Sequence, residues 1–333
     1  MKAAVFHGIG QKLCIEVVPD PAPGPGEVVV KVGRCGICGS DLHMTEDPMF
    51  GVPAGAVLGH EFAGEIAAVG KGVEGLKVGD RVSVPPVKGC GECGSCLAGE
   101  PAWCDQMSLI GGGYGEYALA LERQIVRLPS SASLADGALI EPLAVALHGI
   151  RRSSLQTGDR VVILGAGPIG LATAFWARRM GAKQIVVTDL NRFQEERAMT
   201  MGATAFVSGE EDHVAQADRI LGGKADIVFE CVGVPGMIAQ AVEHIRIHGE
   251  VLVQGLCTRP DTFIPFKALS KECRFQFAAF FKTQEYEASL DVLSSGAAEP
   301  RALITDTISL DQLPDTFEAL RKRTHQCKVL VAP

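Results

Sequence analysis

The sequence predicts an α/β protein in two parts, an irregular β-rich half followed by a doubly wound parallel sheet. Two patterns carry this expectation. Up to about residue 140, short β-branched runs such as Glu27-Val28-Val29-Val30-Lys31-Val32 and Gly79-Asp80-Arg81-Val82-Ser83-Val84 are punctuated by glycine and proline. Such runs read as short, mostly antiparallel strands. From about residue 145, apolar strands alternate with helices: Val161 to Leu164, then helix Leu171 to Met180, then Gln184 to Asp189, then helix Glu195 to Met201. Ile227 to Glu230 and Val251 to Val253 continue the series. This alternation means parallel strands joined by crossover helices. Pro19 to Pro25, four prolines in seven residues, reads as an extended surface turn. A helical stretch, Leu313 to Arg323, and a strand, Cys327 to Val331, close the chain.

Composition narrows the functional classes. The 333 residues suffice for two domains, and 47% hydrophobic content with 39 glycines suits a large α/β core. Against 31 basic side chains stand 39 acidic ones, a net charge of −8, which argues against nucleic-acid or anionic-membrane partners. The N-terminus, Met1-Lys2-Ala3-Ala4-Val5-Phe6-His7, lacks an apolar core of signal-peptide length, so a cytoplasmic address is expected. Val161 to Ala177 holds seventeen uncharged residues, but Gly165, Gly167, Pro168 and Gly170 interrupt it. It reads as buried strand, turn and helix rather than a membrane span.

Cys90, Cys93, Cys96 and Cys104 follow C-x2-C-x2-C-x7-C, with Gly91, Gly94, Ser95 and Gly99 in the gaps. Small residues let a short loop fold back so that four thiolates converge on one tetrahedral ion, a closed structural zinc site. A disulfide pair or a redox CxxC competes with that reading. The odd total of eleven cysteines favours metal and free thiols.

Gly165-Ala166-Gly167-Pro168-Ile169-Gly170 is a G-x-G-x-x-G directly after a strand and opening a helix. The first glycine permits the turn, the second lets a pyrophosphate approach, and the third allows helix–strand packing. Asp189 closes the next strand, where an acid accepts from adenosine ribose hydroxyls and repels a 2′-phosphate. NAD is therefore expected over NADP. Asp189 would alternatively cap the next helix, and Arg192 nearby would blunt the preference.

Cys38, Ser40, Asp41 and His43 cluster in Cys35-Gly36-Ile37-Cys38-Gly39-Ser40-Asp41-Leu42-His43, and Gly59-His60-Glu61 follows. A thiolate, an imidazole and a carboxylate from separate segments suit a three-ligand zinc with an open fourth position. Cys35 and Cys38 also form a CxxC that invites a redox reading.

Cys38 through His43, Gly59-His60-Glu61-x2-Gly64-x5-Gly70, the cysteine quartet and Gly165 to Gly170 occur in the order found in the zinc-dependent medium-chain alcohol dehydrogenases. The resemblance runs essentially end to end. Ala138-Leu139-Ile140-Glu141-Pro142-Leu143-Ala144-Val145-Ala146-Leu147-His148 is similar to the polyol, threonine and 2,3-butanediol dehydrogenase branch, with glutamate where ethanol-type enzymes carry a cysteine ligand. The resemblance implies a GroES-like β-rich catalytic domain, residues 1–145 and 280–333, around a Rossmann domain, residues 146–279, with substrate between them. It implies two zinc ions, a catalytic one on Cys38, His60 and Glu141 (directly or through water), with Glu61 an exchangeable ligand, and a structural one on Cys90, Cys93, Cys96 and Cys104. Lys328 falls where the family keeps a basic partner for Glu61, and Asp41 where it orients His60. Ser40 and His43 take the places of a proton relay, and Gly165, Gly167, Pro168, Ile169, Gly170 and Asp189 those of the NAD site.

The implied reaction passes hydride between a secondary alcohol, most simply a small diol or polyol, and NAD, giving the ketone. A bulkier hydrophobic alcohol or an amino-alcohol such as threonine is the alternative within this class. Met44, Met49, Phe50, Phe280 and Phe281 are expected to line the cleft and disfavour long polyols. The family suggests a homodimer or homotetramer. A zinc-free quinone reductase and a non-catalytic zinc-loop nucleotide sensor are the rival classes, separated by zinc content per chain.

Overall fold

A computed structural model describes residues 1–209, 212–322 and 325–333. The chain forms two compact units, Met1–Glu141 with Lys282–Ala297 and Ile304–Pro333, and Pro142–Phe281 with Ala298–Leu303.

The first unit begins with β1 (Lys2–Phe6), β2 (Cys14–Val17), β3 (Glu27–Gly36), α1 (Gly39–Met44), β4 (Ala56–Val57) and β5 (Glu61–Val69). It continues with β6 (Arg81–Val84), β7 (Val87–Lys88), α2 (Gly94–Leu97), β8 (Ser108–Leu109), β9 (Tyr117–Leu121) and β10 (Val126–Arg127). Then α3 (Leu134–Arg152) starts here and ends in the second unit. Val28, Val30 and Val32 alternate along β3 into a core with Phe6, Phe62, Tyr114 and Phe317, which is what a period of two in apolar residues produces. β3 and β5 pair so closely that a Cβ on Gly64 would sit 2.0 Å from the Lys31 carbonyl oxygen.

Serine and aspartate set the start of α3. Ser133 Oγ accepts from Asp136 N (3.0 Å), and Asp136 Oδ2 accepts from Ser133 N (2.8 Å), a reciprocal cap. Glu141-Pro142 therefore lies inside the helix rather than at its start. Pro142 has no N–H for the Ala138 carbonyl four residues back.

The second unit alternates strands and helices: β11 (Arg160–Leu164), α4 (Pro168–Arg179), β12 (Gln184–Asp189), α5 (Glu195–Thr200), β13 (Ala205–Ser208), α6 (His213–Leu221), β14 (Ala225–Glu230), α7 (Met237–His244), β15 (Ile245–Val253), α8 (Pro265–Leu269) and β16 (Arg274–Phe277). Its strands form one sheet in the order β13-β12-β11-β14-β15-β16, every pair parallel. The strand order reverses beside β11, the arrangement of a doubly wound Rossmann sheet. The uncharged stretch from Val161 is β11, the glycine turn and most of α4. Among the described residues no helix is long and apolar enough to cross a membrane.

The chain then returns to the first unit with α9 (Thr283–Ser294), β17 (Ile304–Ser309), α10 (Leu313–Ala319) and β18 (Lys328–Ala332). β18 pairs antiparallel with β3, placing Val331 opposite Cys35. The expected helix to Arg323 stops at Ala319, and Arg323 itself lies outside the described residues.

Candidate active site and metal centres

Strand register assembles the mixed donor cluster. β3 and β5 pair with Gly36 opposite Glu61, so the Cys38 segment leaving β3 meets His60 and Glu61 entering β5. A Cβ on Gly36 would lie 2.0 Å from Glu61 Oε2, so only glycine leaves room for that carboxylate. Donor atoms of Cys38, His60 and Glu61 all fall within 4.8 Å of one another. Glu141 is not a member of this set.

Each donor is held from behind. Asp41 Oδ1 lies 3.1 Å from His60 Nδ1, which leaves Nε2 for the cluster. The other Asp41 oxygen accepts from Tyr114 OH at 2.6 Å and from Cys38 N at 3.1 Å. Ser40 Oγ donates to Cys38 Sγ (3.1 Å) and lies 3.4 Å from His60 Nε2. Lys328 Nζ donates to both Glu61 oxygens at 2.7 and 2.6 Å and to the Ile37 carbonyl at 3.1 Å, with both charged side chains 1% exposed. His43, half-buried, sits one turn after Ser40 on α1. Arg321 fixes that helix by donating to the Leu42 carbonyl and to Thr45 Oγ1.

Electrostatics favour a cation at this point. Burial pulls the His60 imidazole down, yet the Asp41 carboxylate and its hydrogen bond leave it well above the usual histidine range. Burial first, then the charge of Glu61, pushes Glu141 up to about 7, while His60 and Lys328 pull it back. Glu141 is thus in the field of the cluster without belonging to its tight donor set. A thiolate donor, an imidazole donor and carboxylates gathered around a site that stabilises positive charge fit a zinc-class ion.

Cys35 lies wholly buried, and burial, followed by Asp41 and Glu61, raises its thiol well above the usual value. Both effects disfavour the thiolate and argue against the redox reading of Cys35 and Cys38.

The quartet converges as its spacing predicts. The four Sγ atoms lie within 4.8 Å, with Cys90 and Cys96 at 3.9 Å. A tetrahedral zinc with Zn–S near 2.3 Å needs sulfurs about 3.8 Å apart, whereas a disulfide needs about 2 Å. All four cysteines are free, so the disulfide alternative is excluded. Backbone N–H groups of Glu92 and Cys93 hold the Cys90 thiol down at about 6. The Gly91 N–H lowers Cys96, but burial and the neighbouring thiols push it up to about 11. Without a cation the thiolates oppose one another, and a zinc ion relieves that conflict.

The third predicted site is a turn. Gly165 adopts φ +97°, and a Cβ on Gly170 would lie 1.9 Å from the Gly165 carbonyl oxygen. Gly167 caps α4, Pro168 is its first residue, and Ile169 follows in the first turn. Asp189 is buried at the end of β12, accepting from Ala166 N (2.8 Å) and Leu190 N (2.7 Å). It therefore braces the glycine turn instead of capping α5. Arg192 is bound to Glu195 at 2.7 Å.

Of the apolar residues expected at the substrate, Met44 and Phe50 are half-buried, Met49 is exposed and Phe281 is buried. Sequence reasoning missed Tyr114 and Arg321. The one available signal for Tyr114 was a bulky polar residue inside Gly111-Gly112-Gly113-Tyr114-Gly115.

The chain is similar to known proteins along its whole length. Residues 24–130 match the alcohol dehydrogenase GroES-like domain, and residues 168–295 the zinc-binding dehydrogenase family. A sorbitol dehydrogenase of Bacillus subtilis (strain 168) is 34% identical over 344 residues, covering 100% of this chain and 97% of the relative. The crystal structure of 2R,3R-butanediol dehydrogenase from Bacillus subtilis superposes with a TM-score of 0.88 at 34% identity, covering 100% of this chain and 99% of that one. A zinc-binding dehydrogenase from Sinorhizobium meliloti 1021 bound to NADP has a TM-score of 0.89 at 32% identity, with 100% and 99% covered. The chain belongs to the zinc-dependent medium-chain alcohol dehydrogenases, in their polyol and butanediol branch.

Proposed function

We propose that the protein oxidises a secondary alcohol, most simply a small vicinal diol such as 2,3-butanediol, to its ketone with NAD, and runs the reverse reduction. The carrying observation is the donor set of half-buried Cys38 and His60 with buried Glu61, and Ser40 bonded to Cys38 and close to His60. A zinc ion there would acidify the alcohol hydroxyl, and NAD would accept the hydride. Cys38 and His60 hold the metal, with Glu141 or Glu61 as the third ligand, and Asp41 keeps His60 in the ligating tautomer. Ser40 takes the hydroxyl proton and His43 returns it to solvent. Glu141 also offers an acceptor to a second hydroxyl, which a purely apolar pocket would leave unpaired. Cys90, Cys93, Cys96 and Cys104 hold a second, structural zinc.

The catalytic part is residues 1–145 and 280–333, and the cofactor part is residues 146–279. Gly165, Gly167, Pro168, Ile169 and Gly170 cradle the pyrophosphate while Asp189 reads the ribose. The Asp189 carboxylate, buried at the end of β12, supports NAD, since an acid there repels a 2′-phosphate. We place the protein in the cytoplasm as a homodimer or homotetramer.

The test is kcat/KM for 2,3-butanediol, a cyclic secondary alcohol, sorbitol, threonine and ethanol, each with NAD and with NADP. The compact diol or the cyclic alcohol should lead sorbitol. Ethanol or threonine leading by tenfold would remove the diol reading and leave the dehydrogenase class intact. A lead for NADP would remove the role given to Asp189.

A further inference from the structure

A third group of mixed donors lies in the first unit, on the small sheet β2-β1-β4. His7 Nε2, Cys14 Sγ and a Glu16 carboxylate oxygen fall within 4.8 Å of one another. We propose that His7, Cys14 and Glu16 form an additional surface site for a zinc-class divalent ion, outside the reaction and open at its fourth position.

Strand pairing builds the group. β1 and β2 are antiparallel with Cys14 opposite Val5 and Glu16 opposite Ala3. Cys14 and Glu16, two residues apart on one strand, therefore share a face, and His7 follows the end of β1. The connection, His7 to Leu13, contains a tight turn closed by Gln11 N donating to the Gly8 carbonyl at 3.1 Å, with Gly10 at φ +76°. Three donors thus come from a short hairpin whose ends are already fixed, so little chain entropy opposes ligation.

The donor chemistry selects the ion. A thiolate, an imidazole and a carboxylate together suit zinc, whereas magnesium and calcium prefer oxygen alone. His7 Nε2 and Glu16 Oε1 stand 2.5 Å apart. Zinc bonds of about 2.1 Å at the tetrahedral angle need those atoms about 3.4 Å apart. The side chains are 38% and 42% exposed, so they can open by that ångström without disturbing a packed core. The exposed Cys14 thiol donates to the Lys12 carbonyl at 3.6 Å, a weak bond that metal binding can replace. Lys12 does not compete for the acidic donor, because its ammonium is paired with Asp315. An ion here would tie the end of β1 to β2 and stabilise the hairpin by mass action.

The wild type, His7→Ala and Cys14→Ser proteins, each with native metals retained, would be equilibrated with micromolar zinc chloride and desalted. Zinc per chain is then counted by inductively coupled plasma mass spectrometry. The wild type should hold one equivalent more than either variant, and both variants should keep wild-type activity and circular dichroism. In the wild type, zinc should slow labelling of Cys14 by a thiol reagent at least tenfold, read by peptide mass. Equal zinc content in all three proteins, or Cys14 labelling indifferent to zinc, would overturn the site and show a plain His7–Glu16 ion pair beside a bystander thiol. Neither readout passes through the alcohol reaction.

Discussion

Lys328 and Glu61 form a charge pair with both partners almost fully enclosed, so neither tolerates losing the other. Burial alone would lower the Lys328 ammonium, but the Glu61 carboxylate raises it above the ordinary lysine range. Lys328→Met would leave Glu61 buried and unpaired, at a cost of about 3–5 kcal/mol. Urea denaturation should show that loss, and a variant of unchanged stability would mean that the Lys328–Glu61 pair does not stabilise the fold. One residue further from the donors, Asp41 acts through His60. Asp41→Asn should weaken zinc binding at the Cys38 and His60 site by about 10–100-fold, measured by chelator competition. Tyr114→Phe, which strips one hydrogen bond from the Asp41 carboxylate, should give a smaller loss in the same assay.

The turn between β11 and α4 allows two glycines with the same motif role to be separated. A Cβ at Gly170 would strike the Gly165 carbonyl, whereas a Cβ at Gly167 meets nothing within 4 Å. Gly170→Ala should therefore lower the melting temperature as the helix is pushed off the strand. Gly167→Ala should leave the melting temperature alone but raise KM for the dinucleotide severalfold, because its methyl occupies the space proposed for pyrophosphate. Equal KM effects without any stability difference would contradict this division. The motif spells both glycines alike, and only their surroundings tell them apart.

Stability of the whole molecule should carry a histidine signature. His244 ends α7, is fully buried, and among the described residues neither of its ring nitrogens has a hydrogen-bond partner. Burial, then His213 and Lys224, with Lys271 adding and Asp218 opposing, pull it down to about 4. The unfolded chain, with histidine near 6.5, takes the proton first as pH falls. Its contribution is complete above about pH 6.5 and is lost progressively towards pH 4, up to roughly 3 kcal/mol. His244→Leu should flatten that part of the stability curve, and identical wild-type and variant slopes would refute the account. Metal removal should also be staged. Mild chelation should abolish activity before the fold is lost, since the quartet is closed and the Cys38 and His60 site is open. Simultaneous loss of activity and circular dichroism would count against two sites of different lability.

Local pattern alone determined much of this. The quartet needs only fifteen residues and its small spacers to converge, and the β11–α4 turn is legible because strand, glycines and helix are contiguous. The parallel sheet was visible because fully buried strands are apolar throughout, so their alternation with helices survives in the sequence. What tertiary structure decided lies across long separations. Sequence left Glu61 and Glu141 as competing carboxylates. The register of β3 with β5 brings Glu61 into the tight donor set and leaves Glu141 outside it. Tyr114 reaches Asp41 over 73 residues and Arg321 reaches Thr45 over 276, with no spacing rule to announce either. His7, Cys14 and Glu16 are individually unremarked surface residues until antiparallel pairing sets them side by side. Hydrophobic periodicity records which face of an element is buried, but partners across a core are chosen by register and packing, which no local pattern encodes.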